Sequence, residues 1–505
     1  MLLEPVNNIL VWQMNKRLMR LDAMVAHTLQ MQEEWLATLI SSAKNTEWGK
    51  QHNYAGIKNY QQFAREVPLC NYEQLEPLVN RVRAGEQNVL WPTEIKWFAK
   101  SSGTATGKSK FIPVSHEAIE DCHFKGGKDL LALYTRLKPE TTLFSGYSLR
   151  LGGSTSVNSR NHETYFGDLS AVLIENFPFW VEIRSTPNQR VALMAEWESK
   201  IDLIARQAIR RNVTSLWGVN SWILVLLHRV LEMTGKSSIL DVWPNLELFA
   251  HGGVSFSPYA EQFKAIIPGN QLTYIESYNA SEGFFAVQDE VPGNGMLLLA
   301  NHGIFYEFIP MSDFVGLESK PIPLSEVNIG VSYAVVISTN AGLWRYILGD
   351  TVKFTSLNPY RISITGRTKN FINAFGEELI IDNAEKAIVA ACHATGAAVR
   401  EYMAAPIFME GNTSGAHEWV IEFLRKPDDL QKFADELDNA LKQLNSDYEA
   451  KRHKNMALRA PVLHDARQGL FFDWLKRKGK MGGQHKVPRL MNDRSIIDEL
   501  LEMNK

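Results

Sequence analysis

The sequence predicts an α/β protein in two parts: a large N-terminal unit of β-sheets flanked by helices, and a small C-terminal two-layer α/β unit. Two observations carry this. Helical stripes and short β-rich runs are mixed over residues 1–368, the pattern of sheets covered by helices. From residue 369 onward the pattern reduces to a few strands and two strong helices, which sets the boundary near Lys369 and gives units of 1–368 and 369–505.

Residues 10–43 are rich in helix formers, and Leu18, Leu21, Met24 and Val25 recur at amphipathic spacing. A second helix is expected over 191–209, with Trp197, Ile201, Ile204, Ala205 and Ala208 on one face. Strands are expected at 272–275, 296–300, 304–308, 333–338 and 361–365. Pro292-Gly293-Asn294-Gly295 punctuates them. In the small unit, 383–392 reads as helix and 419–424 as strand. Leu430, Phe433, Ala434, Leu437, Ala440, Leu441 and Leu444 form a helical stripe started by Pro427-Asp428-Asp429. With no repeats and no low-complexity linker, the two units are expected to pack closely.

Composition narrows the function classes. The chain has 505 residues, 45% hydrophobic and 22% charged, which fits a globular protein. Its 53 basic residues against 56 acidic ones give a net charge of −3, which argues against a nucleic-acid partner, since that needs a broad basic face. Cys70, Cys122 and Cys392 are too few and too scattered for a disulfide framework or a zinc site, so a reducing compartment is expected. Charges interrupt the first 40 residues, leaving no signal-peptide core. The most apolar segment, 222–227, falls far short of the roughly 20 residues a membrane span needs. A cytoplasmic protein, with no membrane partner and acting as a monomer, is the expectation.

Four segments stand out chemically. Ser101-Ser102-Gly103-Thr104-Ala105-Thr106-Gly107-Lys108-Ser109-Lys110 follows an apolar strand-like run. Its hydroxyls, glycines and cations expose the N–H groups and positive charge that a polyphosphate needs. Three residues separate Gly103 from Gly107, one short of the Walker A spacing. In Tyr278-Asn279-Ala280-Ser281-Glu282-Gly283 a carboxylate at a strand end is placed to hold Mg²⁺ against phosphate oxygens. Gly342-Leu343-Trp344-Arg345-Tyr346-Ile347-Leu348-Gly349-Asp350 offers Asp350 to the two ribose hydroxyls. Thr365-Gly366-Arg367-Thr368-Lys369 offers Arg367 to ribose or phosphate. Taken alone, the first and third segments read equally well as surface or hairpin turns, the second reads better as an ordinary capped turn, and the fourth has a charged interdomain turn as its alternative.

Their order is more specific than any one of them. It is the order of adenylate-forming enzymes, and 101–113, 278–282 and 342–353 resemble the nucleotide motifs of the GH3 acyl-acid amido synthetase family. Residues 246–258, which include His251-Gly252-Gly253, and 304–310 and 373–379 are similar to bacterial members. Two positions depart from the pattern: Ala105 replaces a third hydroxyl, and Ile347 stands where plant members carry an Arg, leaving Arg345 as the neighbouring substitute.

The resemblance implies ATP and Mg²⁺ as cofactors, and an acyl acid and an amino acid or other amine as partners. A carboxylate attacks the α-phosphate to give acyl-AMP and pyrophosphate, and an amine then takes the acyl group. Ser101, Ser102, Gly103, Thr104, Thr106, Gly107, Lys110, Gly252, Gly253, Tyr278, Ser281, Asp350 and Arg367 would hold nucleotide, and Glu282 the metal. Lys369 would lie at a hinge about which the small unit rotates between the half-reactions. The basic run 476–489 has six Lys or Arg in fourteen positions and no acid. Ordinarily a solvated surface, in this context it resembles a loop that closes on the phosphates, with Lys486 the first catalytic candidate and Lys480 the second. His116, His251 and His302 are candidates for a base in the second step, with core or turn roles as the alternative. Val219 and Trp222, opening an apolar helix, are candidates for the acyl pocket. The rival readings are an acyl-CoA synthetase using the same acyl-AMP and a non-catalytic protein binding nucleotide or acyl acid.

Overall fold

The computed structural model describes residues 3–101, 110–153, 155–157, 163–194, 196–253, 256, 259–368, 371–410, 413–455, 457–478 and 488–505. At its centre is a 12-stranded mixed sheet. Starting from one edge, strands Ile322–Pro323, Ile304–Pro310, Ser332–Thr339, Tyr346–Leu357, Tyr360–Arg367, Met296–Leu298, Gly283–Val287 and Thr273–Ala280 pair antiparallel. The sheet then continues in parallel through Leu248–Gly252, Val213–Gly218, Tyr147–Arg150 and Ser185–Thr186. Helices Trp197–Ala208 and Asn220–Thr234 serve the parallel half, where Ile201, Ile204, Ala205, Ile223, Leu224 and Leu227 are buried. Parallel strands need such covers because their apolar side chains point to both faces. In a sheet of this kind ligands gather outside the carboxyl ends of the strands. Here those ends are 151–153, 218–219 and 252–253.

The expected N-terminal helix is two helices, Leu3–Ala26 and Thr28–Ala43. They part at His27, where the Thr28 hydroxyl donates to the carbonyls of Met24 at 2.8 Å and Val25 at 3.2 Å. A threonine that bonds back to the preceding turn bends a helix. The second helix buries Leu36, Leu39 and Ile40 in the core of the antiparallel half, and Gln32 reaches the Ala300 and Ile304 carbonyls. The helix expected over 191–209 forms as Gln189–Ala192 and Trp197–Ala208.

The small unit follows its sequence pattern closely. Helix Leu430–Leu444 covers the predicted stripe, and the Asp429 carboxylate caps it by accepting from the Gln431 and Lys432 N–H groups, a contact worth about 1 kcal/mol. Strands Ala398–Ile407, Ala416–Arg425 and Val462–Ala466 form a three-stranded sheet. Trp419, Ile421 and Phe423 pack toward helices Ile381–Thr395 and Leu430–Leu444. A second helix layer, Leu470–Arg477 with Ser495–Asn504, covers Met403, Ala405 and Val420 on the other face.

One hydrophobic core runs from the parallel half of the large sheet into the small unit, joining Leu227 and Phe263 to Phe375, Trp419 and Phe433. The Tyr259 hydroxyl donates to the Ala374 carbonyl at 2.8 Å, tightening the same seam. Among the described residues no helix is long and apolar enough to cross a membrane.

Candidate functional site

Several separated stretches meet beside the switch from antiparallel to parallel pairing. Strands Trp97–Ser101 and Lys110–Val114 form a hairpin with Ser101 opposite Lys110. The intervening turn, with Ser102, Gly103, Thr104, Thr106 and Gly107, lies outside the described residues, as do Lys369, Lys480 and Lys486. Lys110 Nζ donates to the Tyr346 hydroxyl at 3.3 Å, which sets the end of the phosphate-loop candidate against strand Tyr346–Leu357.

Tyr278, Asn279 and Ala280 belong to strand Thr273–Ala280, and Ser281-Glu282 is the two-residue turn into Gly283–Val287. Gly283 packs closely here: a Cβ would come within 2.5 Å of Ile304 Cδ1, so that side chain would have to shift. The turn leaves Glu282 at the hairpin tip, facing charges from other strands. Burial raises its carboxyl to about 7; Lys110 opposes the shift, and the Glu378 and Asp350 carboxylates add to it.

Gly349-Asp350 is not a hairpin turn. Both residues lie within strand Tyr346–Leu357. The pairing with Ser332–Thr339 jumps from Val336 opposite Ile347 to Ala334 opposite Thr351, so 348–350 bulge out. Gly349 sits at φ +95, which favours glycine. Bulges re-aim side chains beside functional sites, and this one sends Asp350 to two partners. Tyr278 donates its hydroxyl to Asp350 Oδ2 at 2.8 Å, and Arg367 Nε donates to Oδ1 at 2.8 Å. Arg367 stands directly opposite Asp350 in the neighbouring strand and also reaches Glu378 Oε1 at 3.1 Å. Burial, then the Asp350 charge, drives the Tyr278 hydroxyl well above its ordinary range, so it stays a donor.

Gly252 and Gly253 end strand Leu248–Gly252. A Cβ on Gly252 would meet the Ser277 carbonyl oxygen at 2.4 Å, and Gly253 has φ +83. Val219, immediately before helix Asn220–Thr234, brings its Cγ2 within 3.7 Å of the position a Gly253 Cβ would take. Trp222 Nε1 donates to the Phe375 carbonyl at 3.3 Å, across to the small unit. Gly252 and Tyr278 lie on adjacent strands, as do Asp350 and Arg367, and the Tyr278–Asp350 hydrogen bond joins the two pairs, although up to 115 residues separate them in sequence.

Other expectations change. Arg345 cannot stand in for a ligand-binding arginine. It is buried, pairs with Glu307 at 2.8 Å, and donates to the Ala64 and Val67 carbonyls. The histidines are no better placed as bases. His251 is buried and stacked on Phe256 at 4.7 Å, and burial depresses it to about 4. His302 is buried against Asp129 at 3.0 Å. His116 is exposed on the surface. The core reading fits His251 and His302, while His116 is an exposed helical residue.

Four residues went unassigned by sequence reasoning. Tyr346 and Glu378 complete the polar cluster. Lys200 is buried and donates to the Gly152 and Gly153 carbonyls at the carboxyl end of a parallel strand, and burial lowers it to about 8. Lys451 of the small unit lies 3.9 Å from the centre of the Trp222 ring. The family-like stretches 342–353 and 373–379 contain Tyr346 and Glu378, and nothing in the sequence pointed to Lys200 or Lys451.

Residues 17–272, 297–367 and 382–495 match the models of the GH3 family N-terminal, central and C-terminal domains. The chain belongs to the GH3 family. It is 26% identical to the jasmonoyl–L-amino acid synthetase JAR4 of Nicotiana attenuata, over 64% of this chain and 66% of that protein, just under two thirds of its length. It is 21% identical to the probable indole-3-acetic acid-amido synthetase GH3.1 of Arabidopsis thaliana, over 96% and 93% of the two chains. The solved GH3.15 acyl acid amido synthetase superposes with a TM-score of 0.60 at 17% identity, covering 97% of this chain and 95% of the other. A 2-hydroxyisobutyryl-CoA ligase does so with a TM-score of 0.56 at 13% identity, covering 96% and 92%. At these identities the two structures establish the fold, a large α/β body with a small α/β unit.

Proposed function

We propose that this GH3 protein is an ATP-dependent ligase that joins an acyl acid to an amino acid through an acyl-AMP intermediate. The observation that carries this reading is the meeting of Lys110, Tyr278, Glu282, Asp350 and Arg367 in one polar cluster, in a chain whose family includes acyl acid amido synthetases. The acid is already ionised near pH 7, since a carboxylic acid has a pKa of about 4. The first step therefore needs no base; its obstacle is an anion attacking an anionic phosphate, which positioned cations and donors relieve. In this reading the N–H groups and hydroxyls of 101–107 and Lys110 hold the phosphates, and Asp350, steadied by Tyr278 and Arg367, accepts the ribose hydroxyls. Gly252 and Gly253 leave room for the nucleotide beside the strand ends, with Ser281 at the hairpin tip. Val219 and Trp222 line the acyl side. The small unit, 369–505, turns about Lys369 and brings Lys486, with Lys480 as second choice, to the phosphates.

Glu282 fits a role as ligand to Mg²⁺, which takes one or two carboxylates together with phosphate oxygens. A divalent cation bound there would offset phosphate charge. Since the free carboxyl titrates near 7, it is protonated at pH 6 and ionised at pH 8. Mg²⁺-dependent ATP binding is thus expected to tighten as pH rises from 6 to 8 and to release protons at pH 6.5, read by calorimetry in buffers of different ionisation enthalpy. Glu282→Gln is expected to flatten the pH profile and raise the Mg²⁺ requirement; an unchanged Mg²⁺ titration would refute the assignment.

The second step needs the amine as a free base. Because His251 and His302 are committed to the core, the amine is expected to arrive deprotonated from solvent. The protein is read as a cytoplasmic monomer acting on small molecules, with neither membrane nor nucleic acid as partner. The deciding experiment is pyrophosphate release over a panel of aromatic and aliphatic acids, followed by discharge of the acyl-AMP with amino acids or with CoA. Discharge by CoA alone would replace the amide ligase by an acyl-CoA synthetase, and no ATP binding by folded protein would end both readings. Lys486→Ala is expected to slow adenylation by on the order of 10²–10³ without lowering the melting temperature. Normal adenylation by that variant would move the role to Lys480.

A further inference from the structure

Helix Ser446–Arg452 of the small unit carries a lysine, Lys451, that forms no ion pair among the described residues. Lys451 Nζ lies 3.9 Å from the centre of the Trp222 ring. Trp222 is held by its own hydrogen bond to the Phe375 carbonyl. The lysine passes the bare face of Gly376, where a Cβ would come within 3.5 Å of its Cε. Among the described residues it makes no ion pair. Of the carboxylates that act on it, Glu377 is spent on His417 at 2.8 Å and on the Ala374 and Phe375 N–H groups at 3.2 and 2.7 Å. Asp447, four residues earlier on the same helix, and Asp168 also favour its charge, but neither forms an ion pair with it. Burial disfavours the charge and lowers the lysine's pKa. A cation kept in such a place without a counter-ion is costly, and it faces the carboxyl ends of the parallel strands through Trp222 and its neighbour Val219.

We propose that Lys451 binds the carboxylate of the acceptor amino acid in the second half-reaction. The proposal rests on the amide-ligase reading above. In that reading the acyl acid's own charge is consumed when it becomes the mixed anhydride. The remaining phosphate charge belongs to the cluster around Lys110. The anion that arrives after adenylation is the acceptor's carboxylate, and the cation at the seam between the units is free to take it. In the transfer, the acceptor nitrogen forms a bond to the acyl carbon, the carbon–oxygen bond to AMP breaks, and the nitrogen's proton is lost to solvent. Lys451 takes no part in these bond changes; it is a specificity-determining contact that orients the amine.

The test compares discharge of pre-formed acyl-AMP by amino acids and by their primary amides, which keep the amine and lose the carboxylate. The wild-type chain is expected to prefer the acids. Lys451→Met is expected to lower kcat/KM for the acids by roughly 10- to 100-fold, the loss of one charge-assisted contact, with little change for the amides. Lys451→Arg is expected to restore part of the preference. Pyrophosphate release with the acyl acid alone should be the same in all three proteins, which also shows that they are folded. An acid-to-amide ratio unchanged by Lys451→Met, or an equal loss for both acceptors, would overturn the proposal. Absence of pyrophosphate release from the wild-type chain would instead overturn the ligase reading beneath it.

Discussion

Asp350→Ala is expected to weaken ATP binding by at least about 10²-fold, because in the proposed reading it removes the acceptor for two ribose hydroxyls and charge-assisted hydrogen bonds are worth about 1.5–3 kcal/mol each. The geometry makes the loss hard to repair. Asp350 is delivered by a bulge, not a flexible loop, and is fixed from two sides by Tyr278 and Arg367 at 2.8 Å. With the carboxylate gone, Arg367 turns wholly to Glu378, already 3.1 Å away, and the buried Tyr278 hydroxyl loses its acceptor. Asp350→Asn separates the effects: it keeps shape and one acceptor oxygen but lacks the charge, so it should bind ATP more tightly than Asp350→Ala and less tightly than wild type. Calorimetric titration with ATP in excess Mg²⁺, alongside melting temperatures, reads both. Wild-type affinity in a folded Asp350→Ala protein would remove the residue from the nucleotide site.

What the sequence could disclose was mostly periodic or local. The helix over Leu430–Leu444 was legible because its apolar spacing and its Asp429 cap lie side by side in the chain. The strands around 272–275 and 333–338 were legible because β-rich runs bounded by turn residues are also local signals. The single helix expected over 10–43 failed at His27 because a hydroxyl–carbonyl bond at Thr28 leaves no trace in a hydrophobic pattern. Gly349-Asp350 looked like a turn because the same residue pair serves a bulge, and only the pairing register tells them apart. The order of the motifs anticipated which segments would be neighbours, since that order reflects a fold and not a local rule. Lys451 gave no signal at all. Its meaning comes from Trp222, more than two hundred residues earlier, and from its forming no ion pair among the described residues, which sequence spacing cannot show.

Arg345 is where sequence and structure part most sharply, and its replacement is expected to have the largest effect on stability. The chain offers it as the arginine nearest the motif position that Ile347 vacates. The fold spends it elsewhere, in a bidentate pair with Glu307 whose side chains are 5% and 1% exposed. The same guanidinium donates to the Ala64 and Val67 carbonyls at 2.8 Å, and Tyr60 donates to Glu307 at 3.0 Å, so the pair clamps helix Tyr60–Glu66 to the antiparallel sheet. Arg345→Met strands a buried carboxylate and two carbonyls, and removing one partner of such a pair costs about 3–5 kcal/mol. Glu307→Leu alone strands the guanidinium and should cost a similar amount. The double variant, Arg345→Met with Glu307→Leu, is expected to recover much of that stability, since well-packed apolar groups often replace a buried ion pair without net loss. Denaturant unfolding of the four proteins forms the cycle. A ligand-binding role for Arg345 predicts the opposite pattern: unfolding unchanged in Arg345→Met, ATP affinity reduced, and no rescue from the second substitution.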